Sequence, residues 1–351
     1  MKGVQQFRPR TTRSLAIATT CGDTSSALSN VVAIERLRMA QDLFHLPVLV
    51  NEIVALFSDQ PAGVVVDATV GGGGHAAALL ENVAGLRVLG IDRDPDARAV
   101  ARGRLAAFGD RALVVAGTFA QLGEVVREHE SFIGHEPLVG VLMDLGVSSH
   151  QFDEGNRGFS FRSDAPLDMR MDPTTGLSAA EFLATVNQHE LVRMLRASGE
   201  ARFANAIAKS IIETQPQTTF ELSAAVERAV PAVARRRGHV ATRVYQALRI
   251  AVNDEEGQLD LGLASALDEL ALGGVLAVIS YHSGEDRAVK AYLADQAKGG
   301  CTCPPTLECV CGAVPRVQVY KASARLASSD EVDHNPRARS ARLRSARKIA
   351  P

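Results

Sequence analysis

The sequence has few of the features that mark secreted or membrane-bound proteins. Its 351 residues include five cysteines, no tryptophan and only 5% aromatic side chains. No uninterrupted apolar run reaches the roughly 18 residues that a membrane-spanning helix needs, so we expect no membrane partner. The sequence shows neither a secretory signal nor a dense cysteine framework, which favours a reduced, cytoplasmic protein without structural disulfides. The hydrophobic content of 46% must therefore build a core mainly from aliphatic side chains.

Four of the cysteines form two close pairs. These are Cys301-x-Cys303 and Cys309-x-Cys311, whereas Cys21 is isolated. Thiols so close together suit a zinc ion, but zinc sites more often use pairs separated by two residues. The pattern therefore favours a small loop without a metal, and a zinc site is the alternative.

The charge of the chain is nearly balanced but unevenly distributed. The formal net charge is −2, yet segment 336–351 contains no acidic residue. It does contain six basic residues, which are Arg337, Arg339, Arg342, Arg344, Arg347 and Lys348. Such a segment fits either a polyanionic partner or a solvated tail. Residues 1–42 show little periodicity and few acids, so we expect a disordered extension there; a transit peptide or an upstream start would look similar.

A glycine-rich turn follows the first strand-like segment. The apolar run Gly63–Val66 leads into Asp67 and then into four consecutive glycines, Gly71–Gly74. Glycine lets backbone amides approach a ligand closely, so this turn predicts a nucleotide-type cofactor site. A second strand ends at Asp92, whose carboxylate is suited to ribose hydroxyls. These residues leave two cofactors open, a dinucleotide (through Gly71-x-Gly73-x-x-Ala76) and S-adenosylmethionine.

Strand-like and helical segments alternate along the chain, which predicts an α/β fold with a parallel sheet. The strand-like segments are 63–67, 87–91, 112–116, 138–143 and 274–280. The long interval before the last of them predicts an inserted helical domain at 152–238, where Ser178-x-x-Glu181 and Thr218-x-x-Glu221 resemble capping boxes. Alternating residues near 317–320 and 341–345 predict a closing antiparallel hairpin. The main domain would then comprise 43–151 and 239–351.

Several longer sequence blocks carry a resemblance to a known family. They are His45-Leu46-Pro47-Val48-Leu49, Asp67 to His75, Gly90-Ile91-Asp92-Arg93-Asp94-Pro95, Asp144-Leu145-Gly146-Val147-Ser148-Ser149, Arg157-Gly158-Phe159-Ser160-Phe161, Leu167-Asp168-Met169-Arg170-Met171-Asp172, Gln246-Ala247-Leu248-Arg249-Ile250 and Asn335-Pro336-Arg337-Ala338-Arg339-Ser340. From His45 onward the chain resembles the ribosomal RNA small subunit methyltransferase H family (the MraW type), which methylates the N4 amine of a cytidine near the decoding centre. The resemblance implies a Rossmann-like, seven-strand class I methyltransferase sheet. It also implies S-adenosylmethionine as cofactor and 16S ribosomal RNA or the small ribosomal subunit as partner.

The same resemblance implies which residues bind the cofactor. They are Gly73, Gly74, His75, Asp92, Phe119, Asp144 and Gln151. Their positions agree with the rule that such sheets bind ligands outside the carboxyl ends of their strands. The chain departs from the family at Tyr281 and Gly284, where the family has phenylalanine and leucine, and at Val240, where it has proline. These departures fall near the expected target base and outside the cofactor turn.

Methyl transfer to an exocyclic amine depends mainly on the alignment of the amine nitrogen, the methyl carbon and the sulfur. We expect one or more of Asp144, His282 and Ser283 to orient the amine and to accept its proton. For Asp144, cofactor binding and amine orientation are not separable from sequence. A structural alternative applies to Ser283, because Ser283-x-x-Asp286 resembles a capping box. No metal is expected in the site.

A cytidine must leave any base stack to react, which favours single-stranded or loop RNA. The candidates for contact with RNA are Arg157, Phe159, Phe161, Arg235, Arg236 and Arg237. The two phenylalanines would stack on bases, although packing between sheet and insertion would use the same residues. Two other functions stay open, an RNA-binding ribosome-assembly protein with weak or no transferase activity and a nicotinamide-dependent oxidoreductase. A homodimer is also compatible with the sequence.

Overall fold

The computed structural model describes residues 47–147, 156–235, 240–304, 310–321 and 323–351, without the side chain of Arg235. The predicted extension at 1–42 lies outside these ranges, as do both predicted ends of the inserted domain. Within the described ranges, no helix is both long and apolar enough to cross a membrane.

One mixed β-sheet forms the centre of the fold. Its strands are β1 (Gly63–Asp67), β2 (Leu86–Asp92), β3 (Ala112–Ala116), β4 (Leu138–Asp144), β5 (Val275–Ser280), β6 (Val317–Val319), β7 (Arg325–Leu326) and β8 (Arg342–Lys348). They follow the order β3-β2-β1-β4-β5-β8-β6, and the two-residue β7 pairs with β8. β1 to β5 run parallel, while β8 is antiparallel to β5 and β6. The predicted α/β class and methyltransferase-like sheet are confirmed, with β7 as an addition.

The parallel strands form because their residues are apolar on both faces. All five residues of β1 are buried, and so are six of the seven in β4. Strands of a parallel sheet are covered by helices on both sides, so they appear in the sequence as continuous apolar runs. For this reason the predicted limits of the five parallel strands agree with the structure to within one residue.

Helices cover both faces of the sheet and fill the interval between β4 and β5. They are α1 (Val50–Phe57), α2 (Gly74–Asn82), α3 (Pro95–Leu105), α4 (Leu122–Glu128), α5 (Glu130–Ile133), α6 (Ala179–Thr185), α7 (Gln188–Ala197), α8 (Ala204–Thr214), α9 (Thr219–Ala229), α10 (Ala232–Arg235), α11 (Val240–Val252), α12 (Glu255–Glu269), α13 (Ser283–Gln296) and α14 (Ser329–His334). One face of the sheet packs against α4, α12 and α13, and the other against α1, α2 and α3.

Most of the helices between β4 and β5 have a core of their own, while α12 packs on the sheet. Side chains of α6 to α9 and of α11 pack together with the loop residues Phe159 and Met169. This core continues to Leu248 of α11, beyond residue 238. Ser178 and Glu181 form the expected capping box at the start of α6. Thr218 caps α9 as expected, but the Glu221 carboxylate accepts from the amide of Gln217, so that box is incomplete.

Two buried contacts hold the loop at the start of this helical segment. Arg157 Nη1 donates to Asp94 Oδ2 over 2.5 Å, and Asp94 also caps the start of α3. Asn253, just after α11, binds the Met169 carbonyl and the Met171 amide, both over 2.8 Å. These contacts fix the 157–171 loop beside the carboxyl ends of the strands.

The close packing of β4 predicts a clear difference between two glycine substitutions. A Cβ added at Gly140 would overlap the buried ring of Phe57, whereas one at Gly103, exposed in α3, meets nothing within 4 Å. Gly140→Ala should lower the free energy of unfolding by about 1–3 kcal/mol through overpacking. Gly103→Ala, the control, should raise it by about 0.5–1 kcal/mol because alanine favours helix. Urea unfolding measures both, and equal effects would contradict the packing described here.

Candidate active site

A cavity of about 520 Å³ lies at the carboxyl ends of the parallel strands. Its walls come from the glycine turn, from the residues that end β2, β4 and β5, and from the helical segment. The residues that matter below are Gly71, Gly72, Gly74, His75, Asp92, Phe119, Asp144, Phe159, Phe161, Met169, Met171, Tyr245, Tyr281 and His282. This volume is in the range of small-molecule and cofactor sites.

The glycine turn between β1 and α2 needs glycine for two reasons. Gly71 and Gly73 have positive φ angles of 50° and 77°, which side chains with a Cβ rarely adopt. A Cβ at Gly73 would also lie 3.3 Å from the Cα of Ala101 in α3. Gly71, Gly72 and Gly74 line the cavity, while Gly73 supports the turn from behind. The turn thus exposes backbone at the start of α2, where N–H groups suit a polar ligand.

Asp92 occupies the end of β2 beside this turn. Its Oδ2 accepts from the Gly71 amide over 2.8 Å, and its Oδ1 accepts from the Asp94 amide over 2.9 Å. Burial raises the pKa of Asp92, although both amide bonds act in the opposite direction. Each carboxylate oxygen has more than one acceptor position, so the side chain keeps capacity for ribose hydroxyls.

Asp144 ends β4 at the centre of the cavity. The Tyr281 hydroxyl donates to its Oδ1 over 2.8 Å, and His75 Nδ1 lies 3.7 Å from its Oδ2. His75 is itself buried, and its Nε2 lies 2.8 Å from the Val48 carbonyl oxygen. Burial raises the pKa of Asp144, with His75 and the Tyr281 hydrogen bond opposing the shift. The carboxylate is therefore held in a fixed orientation and is a stronger proton acceptor than an ordinary aspartate.

His282 and Ser283 both lie at the start of α13, just after β5 as expected, but only His282 lines the cavity. His282 is the N-cap of α13, because its Nδ1 accepts from the amides of Gly284 and Glu285, and Glu285 completes the capping box. The expected box from Ser283 to Asp286 is wrong by one residue, and Asp286 instead forms an ion pair with Arg344 over 2.8 Å. His282 lines the cavity, with its Nε2 3.1 Å from Glu285 Oε1. Ser283 is exposed and does not belong to the cavity wall.

The far wall of the cavity is apolar. Phe119, after β3, lies against α12, where a Cβ at Gly262 would come within 2.6 Å of the phenylalanine ring. Leu259 of α12 completes this wall. An apolar wall at this place suits a flat heteroaromatic ring, as expected for Phe119 from the sequence.

The predicted RNA-contacting residues have separate environments. The side chain of Arg157 is only 10% exposed; its guanidinium forms the ion pair with Asp94 and donates to the carbonyls of Arg170 and Met171. Phe159 is 5% exposed and belongs to the core of the helical segment, although it also lines the cavity. Phe161 is 44% exposed and meets the Tyr245 ring edge to face at 5.4 Å. Of the three, only Phe161 combines a cavity position with solvent exposure.

The other predicted contacts are described only in part. Arg235 ends α10, with its side chain outside the described residues, and Arg236, Arg237 and the predicted cofactor contact Gln151 lie outside them altogether.

Several cavity residues were not assigned from sequence. Arg249 forms a two-pronged ion pair with Glu255 over 2.7 and 2.8 Å. Met169 lines the cavity with a positive φ of 61°, a strained conformation for a side chain with a Cβ. Both residues fall inside the sequence blocks on which the family resemblance rests. The sequence therefore marked these positions, but it gave no function for either side chain. Glu255, His282 and Glu285 place possible metal-ligand atoms within 4.8 Å of one another. However, Arg249 and the backbone amides at 281 and 282 already bind the two carboxylates.

The cavity fits S-adenosylmethionine in its chemistry. Asp92 offers acceptors for ribose hydroxyls and Phe119 offers an apolar surface for adenine. The glycine turn offers backbone amides, and the carboxylate of Asp144 complements a cation. Residues that would hold this cofactor are thus present at one site.

The buried Asp67 predicts a pH-dependent stability. Burial raises its pKa from 3.8 to about 7, with Asp144 and Asp92 adding to the shift and His75 opposing it. Between these two pH values the folded chain keeps a proton that the unfolded chain has lost, so the free energy of unfolding falls as pH rises. Relative to Asp67→Asn, the wild type should therefore lose on the order of a few kcal/mol between about pH 4.5 and pH 8.

Urea unfolding of both proteins at several pH values measures this difference. The matched control is Asp110→Asn, at an exposed position outside the cavity. Its stability should stay parallel to that of the wild type. A constant gap between wild type and Asp67→Asn across this window would show that Asp67 is charged in the folded protein throughout.

Comparison with known proteins identifies close relatives. The chain is 48% identical over 313 residues to the ribosomal RNA small subunit methyltransferase H of Heliobacterium modesticaldum, covering 87% of this chain and 98% of the relative. The protein of the same name from Heliobacterium mobile is 46% identical over 316 residues, covering 88% and 100%. The one from Geobacter sulfurreducens is 47% identical over 313 residues, covering 87% and 99%.

A family-level comparison agrees with these relatives. Residues 42–349 match the MraW methylase family. The resemblance inferred from the sequence blocks is thus confirmed, and with it S-adenosylmethionine as the cofactor. The chain belongs to the MraW methylase family.

Proposed function

We propose that this protein transfers a methyl group from S-adenosylmethionine to the N4 amine of a cytidine in 16S ribosomal RNA, near the decoding centre. The observation that carries the proposal is the continuity of the cavity. It extends from Asp92 and the glycine turn, which suit the cofactor, to Phe161, Met169 and Tyr245, which suit a base. The relatives named as small subunit methyltransferases support ribosomal RNA as the substrate.

Different residues of the chain would bind different parts of the cofactor. Asp92 would accept hydrogen bonds from ribose hydroxyls, Phe119 would pack against adenine, and Gly74 and His75 would border the polar end. When bound, the cofactor supplies a methyl carbon made electrophilic by the neighbouring sulfonium. The protein must then bring a weak nucleophile into line with that carbon, because the lone pair of the cytosine amine is delocalised into the ring.

Asp144 is the group that we assign to the amine. Its carboxylate is fixed by Tyr281, and its raised pKa makes it a better proton acceptor near neutral pH. A carboxylate oxygen that accepts one amine hydrogen localises the lone pair on nitrogen and can take up the proton. His282 acts through position, since its ring caps α13 and faces Glu285. Ser283 begins that helix at the surface, so we assign it no contact with the reacting atoms.

The helical segment supplies the aromatic side chains that we propose contact the incoming base. Phe161 and Tyr245 form an edge-to-face aromatic pair at the cavity, and Phe161 is exposed to solvent. Aromatic side chains of this kind stack on bases that have left their own stack, which is easiest in single-stranded RNA. We therefore place the incoming cytidine between this pair and Asp144.

Nucleoside mass mapping tests the proposed reaction. Small-subunit RNA from cells without the protein should lack one N4-methylcytidine, and restoring the wild-type gene or Asp110→Asn should return it. Asp144→Asn should fail to restore it, with a turnover reduced by about 10²–10⁴-fold at saturating cofactor. Tyr281→Phe should lose about tenfold, because it removes one hydrogen bond to a charged group.

The possible results separate the parts of the proposal. An unchanged N4-methylcytidine in cells without the protein would contradict the assigned product, and a different lost methyl group would name another target. Near-normal turnover of Asp144→Asn would remove Asp144 from the reaction. Cofactor binding with no methyl transfer to the RNA would favour the ribosome-assembly function instead.

The basic run Arg235-Arg236-Arg237 is proposed to contact RNA phosphates. Replacing all three with alanine should lower the slope of log affinity against log salt by about 2, since each phosphate contact on a single strand contributes roughly 0.7. The control removes the same charge from exposed helix positions outside the cavity, as Arg193→Ala, Lys209→Ala and Arg228→Ala together. Filter binding of 16S RNA at several salt concentrations measures both slopes. Equal slopes for the two triple variants would exclude the run from the RNA footprint.

A further inference from the structure

Three thiols converge in the loop between α13 and β6, outside the cavity. The Sγ atoms of Cys301, Cys303 and Cys311 lie within 4.8 Å of one another. Cys301 and Cys311, ten residues apart, have their sulfur atoms 3.5 Å from each other. None of these three residues lines the cavity described above. The cluster therefore belongs to a separate part of the molecule.

The fold of the loop brings these thiols together. At its base the Arg316 amide donates to the Gln296 carbonyl over 2.9 Å, and Arg316 Nη2 binds Asp268 Oδ1 over 2.7 Å. Higher in the loop, Gly299 has a positive φ of 62°, and a Cβ there would overlap the backbone of Val314. At Gly299 the two arms of the loop are so close together that no residue with a Cβ would fit. This approach places residue 301 opposite residue 311.

We propose that Cys301, Cys303 and Cys311 bind a structural Zn²⁺ ion. Zn–S bonds of about 2.3 Å in a tetrahedral site set neighbouring sulfur atoms roughly 3.8 Å apart. The sulfur atoms of Cys301 and Cys311 are 3.5 Å apart and all three lie within 4.8 Å of one another, so only small side-chain adjustments are needed to meet that value. Thiolates are soft ligands that prefer zinc over hard ions such as Mg²⁺.

The spacing in the sequence explains why this site was not expected there. Zinc knuckles usually hold each cysteine pair in one turn with two residues between ligands, whereas Cys301 and Cys303 have one. Here the close approach of two loop arms, set by Gly299 and Arg316, replaces the turn geometry of a knuckle. Cys309 adds a nearby thiol in the sequence but lies outside the described residues, so the proposal depends on the other three.

The ion would act on the loop and not on the reaction. It would connect the arm that leaves α13 with the arm that enters β6, and so hold a segment that includes the exposed Val310 and Val314. A short exposed loop buries little apolar surface, so ligand bonds are an effective way to order it. Loss of the ion should therefore leave cofactor binding at the cavity unchanged.

Metal analysis of the untagged full chain tests the proposal. Protein purified under reducing conditions from zinc-supplemented cells should contain about one zinc per chain by plasma mass spectrometry. Cys301→Ser, Cys303→Ser and Cys311→Ser should each lower this content at least about fivefold, because zinc needs its full ligand set. Cys21→Ser, a control cysteine distant from the three in the sequence, should keep the wild-type content.

A second measurement guards against unfolded variants. Calorimetric titration with S-adenosylmethionine should give the wild-type affinity for each variant, which shows that the main fold is intact. Replacement of zinc by Co²⁺ should produce the visible absorption of tetrahedral thiolate coordination in wild type and lose it in the three variants. Zinc-free wild-type protein, zinc content equal in all variants, or iron with labile sulfide in place of zinc would each overturn the proposal.

Discussion

Three neighbouring parallel strands end on carboxylates at one edge of the sheet, and this constraint shapes the rest of the site. Asp67, Asp92 and Asp144 close β1, β2 and β4, and burial raises the pKa of each. Negative charge in a poorly solvated place costs free energy, which protein groups offset only in part. The amides of the glycine turn and the Tyr281 hydroxyl are such groups. The remaining imbalance favours a ligand that carries positive charge, as the sulfonium and amino groups of S-adenosylmethionine do.

The helical segment is attached to the main domain at this same edge of the sheet. Asp94 lies two residues beyond the end of β2 with its own carboxylate buried, and Arg157 of the helical segment forms an ion pair with it. A buried acid and base that satisfy each other fix the loop 157–171 far more firmly than surface contacts would. Asn253 holds the other side of that loop through the backbone at Met169 and Met171. The wall proposed to bind the base is thus positioned in part by Asp94, close to the strand end that presents Asp92, so the geometry of the two halves of the cavity is coupled.

The parts of this structure that depend on local pattern could be predicted from the sequence, and those that depend on distant contacts could not. Strand limits follow from continuous apolar runs, and the cofactor turn follows from its glycines. By contrast, the pairing of Arg157 with Asp94 joins residues 63 positions apart, and that of Tyr281 with Asp144 joins residues 137 apart. Neither leaves a local signal. The role of His282 as a cap was missed for a different reason, because histidine is an uncommon N-cap and the serine beside it fits the usual pattern.

Several basic residues form ion pairs or hydrogen bonds within the protein, so the number of basic residues in the sequence is a poor guide to how strongly it binds RNA. The basic residues of β8 looked available for a polyanion, but Arg344 binds Asp286, and Lys348 Nζ donates to the Asp268 carbonyl. Arg157 and Arg249 are likewise held by carboxylates inside the protein. A cation that is already paired and partly buried gains little from a phosphate, because it must first give up its partner. In the proposed complex, the affinity for RNA of a chain with net charge −2 would therefore come from other cations, together with stacking at Phe161. Stacking depends weakly on salt while phosphate contacts depend on it strongly, so the balance between the two sets how far the enzyme tolerates ionic strength.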